Sequence, residues 1–423
     1  MTVLLFATAS SVLTTIWHVF LAFVILMFMV MIHETGHYVA GKLLKFKINE
    51  YAIGMGPAIF TKTKRNGEKF SLRVLPLGGF CAFEGEDSES PSPQAFHVQK
   101  PWKRLIVLFS GAFFNFVSAI IICVILFGAY GETVAVVNHV YDYAPAQNQV
   151  FEQGDIIYKI NGKKVFVLDD VGRYQSDTME IVVIRNGKEV TLKNVTRETY
   201  VTPYVKSAHF DIKNDDGRLL QTGDVIYKIN GQALSKQGQF AEVLQGITDD
   251  VVTLVVTAGD GQHEYVVQKS MLLKGVEVAE SAYKGIGMAQ SYQNYKFPFG
   301  QALGRVFPYC GEVAMLVLRT LGGLFTGAVG LNDIGGPITT ISVTSQVVAN
   351  GFQSVLALIV LISVNLAVFN LLPVPALDGC QMVFVLIEWI ARKPINRKVQ
   401  AWINGVGLVL LLGFVILVDL LKL

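Results

Sequence analysis

The chain has 423 residues, of which 52% are hydrophobic and only 16% charged, with a mean hydropathy of +0.45. A soluble protein carries about 25% charged residues, so an ordinary soluble enzyme is excluded, and a net charge of +2 is too near neutral for a nucleic-acid binder. The four cysteines, Cys81, Cys123, Cys310 and Cys380, form no CxxC pair and avoid the polar stretch 131–295, which excludes a disulfide-stapled exported domain and a cysteine-rich metal site.

Residues 11–32 form the first apolar run, and crossing a bilayer takes about 20 residues. The run lacks a basic leader and exceeds the roughly 7 to 15 residues of a signal-peptide core, so it is expected to be kept as a membrane helix. At its end, Met31-Ile32-His33-Glu34-Thr35-Gly36-His37 reads HExxH. On a helix, positions i and i+4 share a face, so His33 and His37 can reach one tetrahedral Zn²⁺ with Glu34 beside it. Zinc lowers the pKa of a water it holds towards about 7, and a neighbouring carboxylate can take that proton and pass it to a leaving amine. The plain alternative is a helix end whose polar residues meet lipid headgroups. Ionisable groups at the end of a continuous apolar helix are costly unless paired or coordinated, which favours the functional reading.

Catalytic zinc usually has three protein ligands. Glu50 is the nearest further candidate, although it opens a β-rich stretch among charges where a solvated carboxylate needs no explanation. Around Asn66-Gly67, the strongest short hairpin signal, residues 51–60 and 70–80 are predicted to pair. The second apolar span is 105–130, with small residues and an amide, Gly111, Asn115 and Ala119, in one GxxxNxxxA line.

Residues 131–295 have soluble character and contain a repeat: the Gly154-Asp155-Ile156-Ile157 to Asn161-Gly162 segment recurs as Gly223-Asp224-Val225-Ile226 to Asn230-Gly231, 69 residues later (223 − 154). Two copies imply two similar domains, and the pattern resembles the PDZ fold, which binds extended peptides at a strand edge. Here His139, His209 and His263 are scattered, so these domains are expected to recognise or exclude substrates, not to cut them. The apolar stretch 297–331, interrupted by Arg305, Glu312 and Arg319, reads as an amphipathic helix on the outer membrane surface. The third span is 351–377 and the fourth 401–418. Pro373 and Pro375 break the third, and irregular backbone at membrane depth survives only where it lines a cavity or is buried in protein. Asp378 at that break is the better candidate for the third ligand, against the alternatives of a helix N-cap or, remotely, Cys380 as a ligand.

Basic residues crowd the loops after the first span (Lys42 to Arg104) and the third (Arg392, Lys393, Arg397, Lys398). The positive-inside rule makes both loops cytoplasmic and puts both termini and the insert on the opposite side, with HExxH and Asp378 facing the cytoplasm.

HExxH in the first span together with Asn370-x-x-Pro373-x-Pro375-x-Leu377-Asp378-Gly379 in the third resembles the site-2 protease family of intramembrane zinc metalloproteases, most similar to its regulator-of-sigma-E (RseP) type, over nearly the whole chain. The resemblance implies an α-helical polytopic membrane protein: four transmembrane helices, a membrane-associated β-hairpin and two inserted β-rich PDZ domains. The expected divisions are 1–130, 131–215 (first PDZ), 216–295 (second PDZ), 296–350 and 351–423. It implies one Zn²⁺ per chain on His33, His37 and Asp378, Glu34 as base, and Asn370 as a polar catalytic group near the substrate or oxyanion. Asn115, Gly54, Gly56, Pro57 and Gly78 are the implied substrate-side residues, since family hairpins pair with unwound substrate. Where relatives often read Gly-Gly-His after the Asp, this chain has Gly379-Cys380-Gln381. Further implications are an inner-membrane location, a transmembrane substrate of the anti-sigma-factor type left by an earlier cleavage or remnant signal peptides, lipid contact, peptide binding by PDZ grooves, and no nucleic acid. The competing reading is an inactive PDZ-bearing scaffold with structural zinc, which an intact Glu34 argues against.

Overall fold

Where apolar sequence is long enough to cross a bilayer it folds as helix, because a helix satisfies its own backbone hydrogen bonds. A computed structural model describes residues 2–86, 92–258, 261–330, 335 and 337–420. Four described helices are long and apolar enough to cross a membrane, spanning Ile16–Leu43, Pro101–Ala129, Phe352–Leu371 and Arg397–Val418. The chain divides into two compact units, Met1–Glu132 with Lys296–Leu423, and Thr133–Tyr295.

In the first unit, helix α1 (Thr2–Leu43) runs past HExxH, so His33 and His37 lie within the helix and not at its end. Leu43 is six residues, about 9 Å, beyond His37. Strands β1 (Ile48–Thr63) and β2 (Lys69–Phe83) follow. Both are long and fold back, with Gly54, Gly56 and Gly78 at φ +83°, +82° and +80°, a backbone region that glycine enters without penalty. Residues 50–53 therefore lie opposite both 69–72 and 79–82, which leaves 79–83 as an edge of the sheet. Glu68 anchors the turn end to α1, accepting hydrogen bonds from Tyr38 (2.9 Å), Lys42 and Lys64 (2.8 Å). Burial works against its ionisation, but these donors and Asn66 prevail and hold its carboxyl down at about 2. Helix α2 (Pro101–Ala129) starts with Pro at its first position, where no N–H is needed, and buries one stripe of small and polar residues: Gly111, Asn115, Ala119 and Cys123. Its opposite side exposes Phe109, Phe113, Ile121 and Ile125, as lipid-facing surface requires.

The second unit holds the repeat. Strands β3 (Glu132–Val140), β4 (Ile156–Ile160), β5 (Lys163–Lys164), β6 (Thr178–Arg185) and β7 (Lys188–Thr196), with helix α3 (Leu168–Arg173), form the first copy. The second has β8 (Glu198–Ala208), β9 (Val225–Ile229), β10 (Gln232–Ala233), β11 (Val251–Ala258), β12 (Gly261–Gln268) and β13 (Val276–Gly285), with α4 (Gln239–Gly246) and α5 (Lys269–Gly275). The sheets run β14-β3-β4-β6-β7 and β12-β11-β9-β8-β13, where β14 is Met288–Tyr295. The expected division at 215/216 thus does not follow the sheets. The second copy, from β8 to β13, is inserted between the last two strands of the first, and β14 returns to close it. The repeated Gly-Asp and Asn-Gly dipeptides are turn devices in both. Gly154 and Gly223 sit at φ +93° and +95°, Asn161 and Asn230 at +51° and +46°. The asparagine side chains accept Glu180 and Thr253 N–H at 3.1 and 2.8 Å. Each copy encloses its own apolar core, centred on Ile160, Ile181 and Val183 in one and Ile229, Leu254 and Tyr265 in the other.

Helices α6 (Phe299–Thr326), α7 (Pro337–Ala349), α8 (Phe352–Leu371), α9 (Asp378–Ala391) and α10 (Arg397–Leu420) complete the first unit. Helix α6 differs from the expected amphipathic helix on the membrane surface. It buries Ala302, Arg305, Val306, Cys310 and Val313 in one stripe, and Arg305 Nη2 donates to Glu132 Oε1 at 2.6 Å with both side chains enclosed.

Candidate metal centre

The close approach of α1 and α2 depends on two glycines. A Cβ on Gly36 would stand 2.3 Å from Ser110 O, and one on Gly111 would stand 2.4 Å from His37 Nε2. With neither side chain present, α2 lies directly against the imidazoles. The third element is the break after α8, where Ala376 takes φ +73° and its N–H donates to Asn404 Oδ1 of α10 at 3.3 Å. Gly379 fits against the Leu371 and Leu372 carbonyls, which a Cβ would meet at 2.5 and 2.2 Å. This turn delivers Asp378, the first residue of α9, to the histidines.

His33, His37 and Asp378 form a group of potential ligands whose donor atoms all lie within 4.8 Å of one another. His33 Nε2 is 3.0 Å and His37 Nε2 3.2 Å from Asp378 Oδ2, and the two nitrogens are 3.1 Å apart. Ligands about 2.0 Å from a tetrahedral ion stand about 3.3 Å apart, so the triangle fits one zinc. The chemistry of the donors agrees. Asp378 Oδ2 is buried yet takes no hydrogen bond from a described residue, although two ring nitrogens are in range. His37 Nδ1 is 2.7 Å from the Val107 carbonyl, which can only accept, so Nδ1 carries the proton and Nε2 presents its lone pair to the centre. His33 Nδ1 faces the side-chain amides of Asn115 (3.4 Å) and Asn370 (3.3 Å). For His33 Nε2 to be a ligand, Nδ1 has to donate, and the Asn115 carbonyl oxygen, buried and without a partner, is the acceptor that a half-turn of the amide supplies.

Glu34 lies in the same cavity of about 400 Å³, with Asp378 and the strand residues Phe80, Cys81, Ala82 and Phe83 on its wall. The arrangement can hold one metal ion, leave a coordination position open to the cavity, and keep a carboxylate beside it.

Several sequence expectations are redistributed. Glu50 is not in the group: Arg73 Nη2 at 2.7 Å and the Ser71 hydroxyl engage it. Cys380 is buried and outside the group. Asn370 Nδ2 lies 3.3 Å from His33 Nδ1, on the side of the ring away from the nitrogen that faces Asp378. Gly54, Gly56 and Gly78 form the hairpin bends, with Pro57 beside them, and none lines the cavity. Asn115 likewise lies against His33 Nδ1 and is completely buried. Residues 80–83, Glu86, Val107 and Leu108 line the cavity and were missed. The strand expected at 70–80 stops at the first of these residues, and the Gly78-Gly79 pair is the sequence mark of the bend beside it.

This geometry defines a metalloprotease-type centre on apolar helices, and comparison with known proteins gives the family. The model of peptidase family M50 matches residues 21–414. Over 393 residues the chain is 30% identical to a protein of Clostridium perfringens named as a zinc metalloprotease, covering 93% of this chain and 94% of that one. A similarly named protein of Vibrio cholerae is 29% identical over 423 residues (91% and 93%), and one of Thermotoga maritima 25% over 479 residues (90% and 94%). The chain belongs to peptidase family M50, the site-2 proteases. It is a multi-pass membrane zinc metalloprotease.

Proposed function

We propose that the protein is an intramembrane endopeptidase that cuts single-pass membrane proteins, with His33, His37 and Asp378 as zinc ligands and Glu34 as general base. The observation that carries this is the convergence of three ligand-type donors and Glu34 on one cavity inside helices of membrane length. Bound zinc supplies Lewis acidity, polarising a scissile carbonyl and acidifying water. Glu34 accepts the proton released and delivers it to the leaving amine. Asn115 and Asn370 fix the His33 ring, and the Val107 carbonyl fixes His37.

A transmembrane substrate hides its carbonyls in helical hydrogen bonds and has to unwind locally. The edge of β2 at residues 79–83 offers replacement backbone bonds beside the metal group, so the unwound segment adds as a strand. The basic loops orient the centre towards the cytoplasm, with termini and insert on the far side of the inner membrane. The insert's two copies, each one sheet with a free outer strand and short helices, support the PDZ reading. Their proposed role is a size filter that admits stubs left by an earlier cleavage, such as trimmed anti-sigma factors, or remnant signal peptides.

The test is cleavage of a transmembrane test substrate by purified wild-type and Glu34→Gln protein with zinc content measured. Loss of general-base catalysis lowers the rate about 10²- to 10⁴-fold with zinc retained, and equal rates would reject Glu34 as base. For the filter, deletion of the insert is expected to permit cleavage of intact large-ectodomain substrates; continued blockage would reject it.

A further inference from the structure

The outer edge of β2 already carries occupants from the chain itself. Glu84 N–H donates inward to Lys47 O at 2.9 Å, so the alternation of an antiparallel strand turns the N–H groups of Gly79, Cys81 and Phe83 outward. Phe83 N–H donates to Glu86 Oε2 at 3.1 Å. Glu34 lies beside the same strand, its Cγ 3.7 Å from where a Cβ on Gly79 would stand. Glu34 and Glu86 both line the cavity that contains the metal group. One of the three outward donors is therefore taken by an acid, and a second acid lies against the strand.

Glu86 reaches back to its own strand through a built turn. Gly85 has φ +73°, and its carbonyl is held 2.9 Å from His97 Nδ1, while a Cβ there would stand 2.6 Å from that nitrogen. On the other side, Arg397 Nη1 of α10 donates to the Glu86 carbonyl at 3.2 Å. The carbonyls of Gly85 and Glu86 are both held in this way.

Building on the strand-addition reading above, we infer that Glu86 is a gating and specificity residue: it occupies the position of a substrate carbonyl on Phe83 N–H, and an extended substrate strand enters by displacing it. A carboxylate accepts an N–H more strongly than a neutral carbonyl does. A substrate offering a single bond at this edge loses the competition. One that lays down several consecutive backbone groups, as an unwound apolar helix does, wins it. The gate also disfavours acidic side chains next to the Phe83 position, where they would face Glu86.

The experiment measures KM and kcat of the purified full-length protein in detergent on a fluorogenic apolar helical peptide with a central Gly-Pro. Glu86→Ala is expected to lower KM about three- to tenfold, the scale of removing one partly exposed charge-assisted competitor, with a smaller change in kcat. Glu86→Gln keeps an acceptor oxygen but loses the charge that wins the competition, and is expected to lower KM in the same direction by less than Glu86→Ala. An unchanged or raised KM in Glu86→Ala overturns the gate. Zinc content and melting temperature check folding, and should the alanine variant fail to fold, Glu86→Asp, one methylene short of Phe83, is expected to lower KM in the same direction. Peptides N-methylated at alternate backbone positions separate the two layers. If N-methylation weakens binding while Glu86→Ala leaves KM unchanged, only the gate falls. If N-methylation has no effect in either protein, strand addition itself falls.

Discussion

Gly111→Ala places a methyl group directly on the metal ligands, and its consequence can be worked from the coordinates. The new Cβ would lie 2.4 Å from His37 Nε2 and 2.6 Å from His33 Cε1, where ordinary contact begins at 3.4 Å. One or both imidazoles have to retreat by about 1 Å, or α1 and α2 have to part by as much. Metal–nitrogen distances tolerate about 0.2 Å, and a misplacement of about 1 Å at a reacting centre costs about 10²-fold. Zinc affinity and cleavage are therefore expected to fall together by about 100-fold or more. The assay is metal content by mass spectrometry after dialysis against graded zinc buffers, with cleavage of the same samples. Gly128→Ala, in the last turn of the same helix, is the control: nothing lies within 4 Å of its Cβ, so wild-type zinc content and cleavage are expected. Full zinc and wild-type cleavage in Gly111→Ala would refute the proposed ligand packing.

Asn115→Ala and Asn370→Ala each remove a group from His33 Nδ1, and such losses lower metal affinity or activity about 10- to 100-fold; Asn115, completely buried, is expected to show the larger effect in zinc titration. Glu132→Ala or Arg305→Ala strands one charge of an enclosed pair and is expected to cost about 3–5 kcal/mol, whereas replacing both with Leu and Met costs far less; melting of the single and double variants in one detergent decides. For Glu68 the folded carboxyl is held down at about 2 from an ordinary 4.5. A depressed acid stabilises the fold fully above its unfolded value, and that contribution is lost as pH falls from 4.5 towards 2. Protease resistance of the hairpin is expected to drop through that window in the wild type and to be flat there in Glu68→Gln; the same slope in both would reject the assignment.

The sequence by itself determined the spans, the two histidines and the base, because hydropathy and the i, i+4 relation are local properties that survive any tertiary arrangement. It also pointed to Asp378, since two prolines beside a lone acid conflict with a continuous apolar helix. The repeat gave two similar domains by self-comparison, but their nesting is a matter of which distant strands pair, and no local pattern marks β14 as the partner of β3. Tertiary structure alone decided the rest. Glu50 is spent on Arg73 because the hairpin folds back, and Asn370 reaches His33 because the last turn of α8 packs against α1. Arg305 is a buried partner of Glu132, where the sequence had read an amphipathic helix on the membrane surface. Residues 80–83 and Glu86 reach the centre through the doubling of two strands at positive-φ glycines, a long-range register that apolar alternation cannot specify.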